Sequence, residues 1–109
     1  MYEGNPVEIQ MERVISVDGI FDDTTHHCSV QRYELEDDYI YLRLKRSDLT
    51  AISLDAKYQC YIFTKSEVLY CTGIIKERYS SEGENIIIFR IENGFYNVPE
   101  EKKKKSVDK

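Results

Sequence analysis

The stretch YQCYIFTKSEVLYCTGIIKERYSSEGENIIIFRI, residues 58–91, decides the fold. Tyr58, Cys60 and Ile62 alternate with polar or outward positions through Thr64, the period of a strand with one buried face. Lys65-Ser66-Glu67 reads as a short hairpin turn. Val68–Tyr79 is a second, long strand with Gly73 near its middle, and a glycine there marks a bulge or a barrel corner. Ser80–Asn85 is a polar turn containing Gly83, and the β-branched run Ile86–Ile91 reads as a central strand. No apolar repeat of helical period interrupts these elements.

Working outward, Tyr39–Lys45 alternates cleanly, with Ile40, Leu42 and Leu44 on one face and Tyr39, Tyr41, Arg43 and Lys45 on the other. Val7–Val17 alternates too, with an inversion at Arg13-Val14 where a bulge would return Val14 to the core. Asp18-Gly19 predicts a tight turn, Asp22-Asp23-Thr24-Thr25 a polar turn, and a strand resumes at His26 or His27 and runs to about Tyr33. Ser47 is placed to cap a single helical turn through Asp48-Leu49-Thr50. Asn93-Gly94 predicts one more turn, followed by a short strand over Phe95–Val98. Six or seven antiparallel strands in 109 residues predict an all-β barrel, closed or split, because closure removes exposed edges. The barrel occupies residues 1–99; residues 100–109, EEKKKKSVDK, have no apolar stripe to bury and form a charged tail that adds little to folding. The predicted core contains Ile40, Leu42, Leu44, Ile62, Ile87, Phe89 and Ile91.

The two halves echo each other. Ile15–Phe21 parallels Ile52–Tyr58, Cys28-Ser29 parallels Cys71-Thr72, and Ile40–Leu44 parallels Ile87–Ile91. That ordering suggests two three-strand units related by a pseudo-twofold axis.

Composition narrows the function. Residues 1–99 carry ten Lys or Arg against seventeen Asp or Glu, a net charge of −7, whereas nucleic-acid binders need a cationic face to displace counterions. No nucleic-acid partner is expected. No aliphatic and aromatic run is longer than the four residues of Ile86–Phe89, far short of a membrane span, and the N-terminus shows no apolar export signal, so the expectation is a cytoplasmic protein off the membrane. Cys28, Cys60 and Cys71 form no C-x-x-C and read as buried free thiols. His26 and Cys28 share a strand face, but a tetrahedral zinc site needs two further ligands at matching spacing, so no metal or other cofactor is expected. The only histidines are adjacent, and neither a nucleophile elbow nor a glycine-rich phosphate loop is present, which argues against an enzyme.

Tyrosine is the compositional excess, nine of thirteen aromatic residues. Tyr39, Tyr41 and Arg43 line one strand face with Arg46 just beyond, a strip suited to stacking and anion contact at a ligand site or interface.

Over residues 37–92 the succession of turns and strands quoted above resembles the PilZ-like split β-barrels, most closely the N-terminal domain of flagellar-brake proteins. PilZ domains bind cyclic di-GMP through R-x-x-x-R and D/N-x-S-x-x-G. Here Arg43-Leu44-Lys45-Arg46 is one residue short, Ala51 stands two residues before Ser53, and Ala56 replaces the glycine. The resemblance therefore implies a barrel without that nucleotide site, a regulatory or adaptor domain acting through protein contacts, with a second copy of the chain as one conceivable partner. The alternative is a barrel that senses a small anion or nucleotide at a non-standard site.

Overall fold

The structure, a computed structural model, describes residues 2–15, 17, 19–34, 36–45 and 49–98, with 95–98 as backbone only. Six strands form: β1 (Pro6–Val14), β2 (Thr25–Glu34), β3 (Tyr39–Leu44), β4 (Ala56–Phe63), β5 (Val68–Ser81) and β6 (Glu84–Val98), with a short 3-10 turn over Leu49–Ala51 between β3 and β4. They close into an antiparallel barrel in the order β1-β2-β3-β6-β5-β4. Alternation does what the sequence predicts. Inward side chains from every strand, among them Val7, Ile9, Cys28, Val30, Ile40, Leu42, Tyr58, Cys60, Ile62, Cys71, Ile75, Ile87 and Phe89, make one buried core.

Six of the seven predicted core residues are buried; Ile91 is only half-buried and packs against the core edge. It sits where β6 outruns β3, whose pairing with β6 stops at Tyr39↔Arg90, so no strand covers it on that side.

The bulge predicted at Arg13-Val14 lies one residue earlier. The β1–β4 register slips between Met11 and Arg13, and Val14 is thereby returned to pack against the core. Asn93-Gly94 is not a turn, a correction to the sequence reading. β6 runs straight through it, and the register against β5 slips on either side of the Thr72↔Asn93 pair. Gly94 is needed there because its φ is +133° and a Cβ would run into Cys71, with the Cys71 Cα only 2.7 Å away. The strand signal of the long-range ladder prevails over the local turn signal. Asp18, Arg46, Ser47, Asp48 and the 100–109 tail lie outside the described residues.

The barrel has a topological twofold. Exchanging β1 with β4, β2 with β5 and β3 with β6 preserves every neighbouring pair: β1–β2 goes to β4–β5, β2–β3 to β5–β6, and β1–β4 and β3–β6 map onto themselves. A bulge follows Val30, opposite Leu42 and Tyr41; another follows Ile75, opposite Phe89 and Ile88. These match if residues 40–44 correspond to 87–91, as the echo suggests. The rest of the echo does not follow the register. Cys28 pairs with Leu44, and the residue that pairs with Ile91 is Gly73, not Cys71. Ile15–Phe21 follows β1, whereas Ile52–Tyr58 leads into β4.

Candidate binding cleft

Of the sequence-predicted strip, Tyr39, Tyr41 and Arg43 lie on the outer face of β3, and Tyr41 and Arg43 are engaged there. Arg43 Nε lies 2.7 Å from Glu84 Oε2. The Arg32 guanidinium stands over the Tyr41 ring, 4.2 Å from its centre, while Arg32 pairs with Glu34 at 3.2 Å. Tyr41 and Arg43 pair across to Ile88 and Ile86, which are buried although they do not belong to the barrel core. Tyr39 is half-buried on the same face, and Arg46 lies outside the described residues.

His26 and Cys28 do share a face, as their spacing predicts, and both point into the barrel. Among the described residues no group of three or more His, Cys, Asp or Glu is placed to hold a metal ion. The three cysteines are free and buried. Burial pushes the Cys28 thiol up to about 12. Contact with the Cys71 sulfur and burial together raise the Cys60 thiol well above its ordinary value. Thiols held in the protonated form are poor nucleophiles and poor ligands.

A cleft of about 660 Å³ opens at one end of the barrel, between the β1–β2 connection and the β3–β4 connection. Met11, Ile52 and His26, all buried, are among its lining; Ile20 and Leu54 stand exposed beside it. Two tethers shape it. Arg78, from β5, donates through Nη1 to the carbonyl oxygens of Leu49, at 3.0 Å, and Ile52, clamping the β3–β4 connection to the barrel. Asp22, from the β1–β2 connection, accepts from Thr24 N through Oδ1 at 3.0 Å, and its Oδ2 lies 2.8 Å from His26 Nε2. Further contacts fix the two connections. Ile15 N donates to Asp55 O at 2.8 Å, Ser53 N donates to Tyr58 Oη at 3.0 Å, and Asp55 N donates to Ser53 Oγ at 3.0 Å. The polar groups of the lining thus largely serve to hold the loops in shape.

Burial pushes the Asp22 carboxyl up, but hydrogen bonds from Thr24 and from His26 outweigh it and leave the group below its ordinary value. A depressed carboxyl contributes stability at pH above its unfolded value of about 4 and loses it as pH falls through the folded value. Acid titration of the urea midpoint should therefore show a loss below about pH 4 that Asp22→Asn flattens. At neutral pH the same variant should cost at most about 1.5–3 kcal/mol, the range for a hydrogen bond to a charged group. An unchanged acid limb in Asp22→Asn would mean that the pair does not tie the loop down.

Sequence reasoning passes over this cleft. Asp22 reads locally as a turn residue, and its spacing of four from His26 is the one signal that could have paired them. Ile20 and Phe21 stand out only as apolar residues inside a weakly patterned segment. Arg78 belongs to a strand whose register must be known before its target is visible.

No known protein family, curated protein or solved structure matches the chain.

Proposed function

We propose that the chain is a non-catalytic regulatory or adaptor domain that works in the cytoplasm through protein–protein contacts made at the cleft end of the barrel. One observation carries the reading. The twofold is broken by the β1–β2 connection, which spans residues 15–24, while its counterpart between β4 and β5 spans only 64–67. Among the described residues that longer connection holds the four most exposed large apolar side chains, Val17, Ile20, Ile15 and Phe21, and Leu54 across the cleft is the fifth. Apolar groups gathered at one place on a surface otherwise rich in charge mark an interaction site. Three free, buried thiols support a reducing compartment, Cys60 and Cys71 standing opposite each other on β4 and β5 without a bond. Among the described residues no helix is long and apolar enough to cross a membrane.

Photo-crosslinking in cells tests this reading. A benzophenone amino acid in place of Ile20 or Leu54 should yield a discrete adduct, and one in place of Tyr79, an exposed residue of β5 outside these connections, should not. An adduct of twice the chain mass identifies a second copy as the partner. Equal patterns from all three positions would sink the proposal.

The PilZ-like layout belongs to the same proposal; what accords with it is an antiparallel six-stranded barrel, a feature not specific to that family. Cyclic di-GMP should not bind. Arg43 is occupied by Glu84, and Ala56 is fully buried and paired with Val14, so no bare backbone faces a ligand there. Titration calorimetry should show no heat, and a dissociation constant at or below about 10 μM would put ligand sensing first.

A further inference from the structure

The cleft combines an apolar seat with negative charge, and this defines what its partner offers. Met11 and Ile52 give it a buried apolar lining, and Ile20 and Leu54 expose aliphatic surface beside them. The charged residues lining it are Asp22, Asp55 and Arg78. Arg78 already donates to two backbone carbonyls, and Asp22 faces His26 and Thr24. The Asp55 carboxylate has no ion-pair partner among the described residues. The net charge of −7 over residues 1–99 adds a long-range field of the same sign.

We propose that the cleft receives a basic segment of a partner protein, with one aliphatic side chain seated against Ile20 and Leu54 and a neighbouring Lys or Arg set against Asp55. This rests on the protein-contact reading and names the chemistry of its partner. The aliphatic group removes exposed apolar surface from water, and the cation answers the unpaired carboxylate and is steered by the field. The chain's own EEKKKKSVDK tail supplies lysines, yet its one aliphatic residue, Val107, is flanked by Ser106 and Asp108 and has no lysine as its neighbour, so a second copy offering its tail fits less well. Anionic membranes are opposed by the same negative field that favours a basic peptide.

The test uses the full chain and fluorescence anisotropy with short synthetic peptides of one length: Leu/Lys, Leu/Glu and Ser/Lys. The Leu/Lys peptide should bind at least about tenfold more tightly than either of the others, because each of those lacks one of the two complementary features. Ile20→Ser and Asp55→Asn should each weaken Leu/Lys binding several-fold. A Glu36→Gln, Asp37→Asn double variant, in the exposed β2–β3 turn, should leave it unchanged. Equal or tighter binding of Leu/Glu overturns the proposal, as does no binding of Leu/Lys at all. Equal weakening by the turn variant would reveal only general attraction to an acidic protein and overturns it too. A peptide of residues 100–109 binding as tightly as Leu/Lys would reassign the cleft to a second copy, and sedimentation with anionic vesicles would reassign it to a membrane. Failure here with crosslinking still confined to positions 20 and 54 leaves the protein-contact reading standing and removes only the basic partner. Cleft-specific peptide binding with crosslinks spread over all three positions does the reverse.

Discussion

Replacing Phe89 with alanine should cost about 3–5 kcal/mol, read as a shift of the urea unfolding midpoint. Phe89 is fully buried in the barrel, pairs with Ile40 on β3 and Ile75 on β5, and brings its ring close over Gly73. Removing the ring deletes buried apolar surface and leaves a cavity among strands that are hydrogen-bonded on both sides and so cannot collapse into it. Total stabilities of small domains run from about 5 to 15 kcal/mol, so one such substitution places the chain near its unfolding threshold. Arg90→Ala, the exposed neighbour in sequence, should stay within about 0.5 kcal/mol. A small effect at Phe89 paired with a large one at Arg90 would mean that β6 is out of register by one residue, which exchanges its two faces.

That reversal of faces is also why so much of the fold could be read from the residues alone. Period-two alternation on β3 and β4 leaves one choice of buried face, and Ile40, Leu42, Leu44 and Ile62 follow it. Gly73 near the middle of a long strand marks a bulge or corner, and the β5–β6 register slips beside it, between Thr72 and Gly73. The errors arise where a distant segment decides. Asn93-Gly94 has the local chemistry of a hairpin turn, but Thr72 and Tyr70 on β5 continue the ladder past it, and two slips of register absorb the extra residues. Tyr39, Tyr41 and Arg43 share the predicted face, but only the register of β6 and of β2 brings Glu84 and Arg32 to them. The cleft is harder still. Its walls come from Met11, from Ile20, Asp22, Thr24 and His26, from residues 50–55 and from Arg78, joined in part by hydrogen bonds to backbone carbonyls that no side-chain pattern announces. Symmetry supplies the clue that composition lacks. Once the two halves are known to share strand order and matched bulges, the connection that differs most in length becomes the place to look.

Gly73→Ala should cost about 3 kcal/mol or more, at the upper end of what overpacking a core brings. A methyl group there would penetrate the carbonyl oxygen of Arg90 and would stand 2.9 Å from both the carbonyl carbon of Arg90 and Cε1 of Phe89. The obstacle is steric, since the Gly73 φ lies outside the left-handed region. Relief by a small backbone shift is blocked, because Gly73 pairs with Tyr58 on β4 and with Ile91 on β6, and β5 cannot retreat from one without crowding or breaking the other. Gly83 offers the contrast. Its φ is +80°, yet nothing lies within 4 Å of a Cβ there, so Gly83→Ala carries only a conformational cost of about 1 kcal/mol. The Gly73→Ala, Phe89→Ala double variant separates the two contacts at Gly73. Truncating Phe89 frees the ring's space but leaves the Arg90 carbonyl in place, so the double variant should remain clearly less stable than Phe89→Ala alone. Stability equal to that of Phe89→Ala would show that the ring was the whole obstacle and that β5 and β6 do not meet as closely as their register requires.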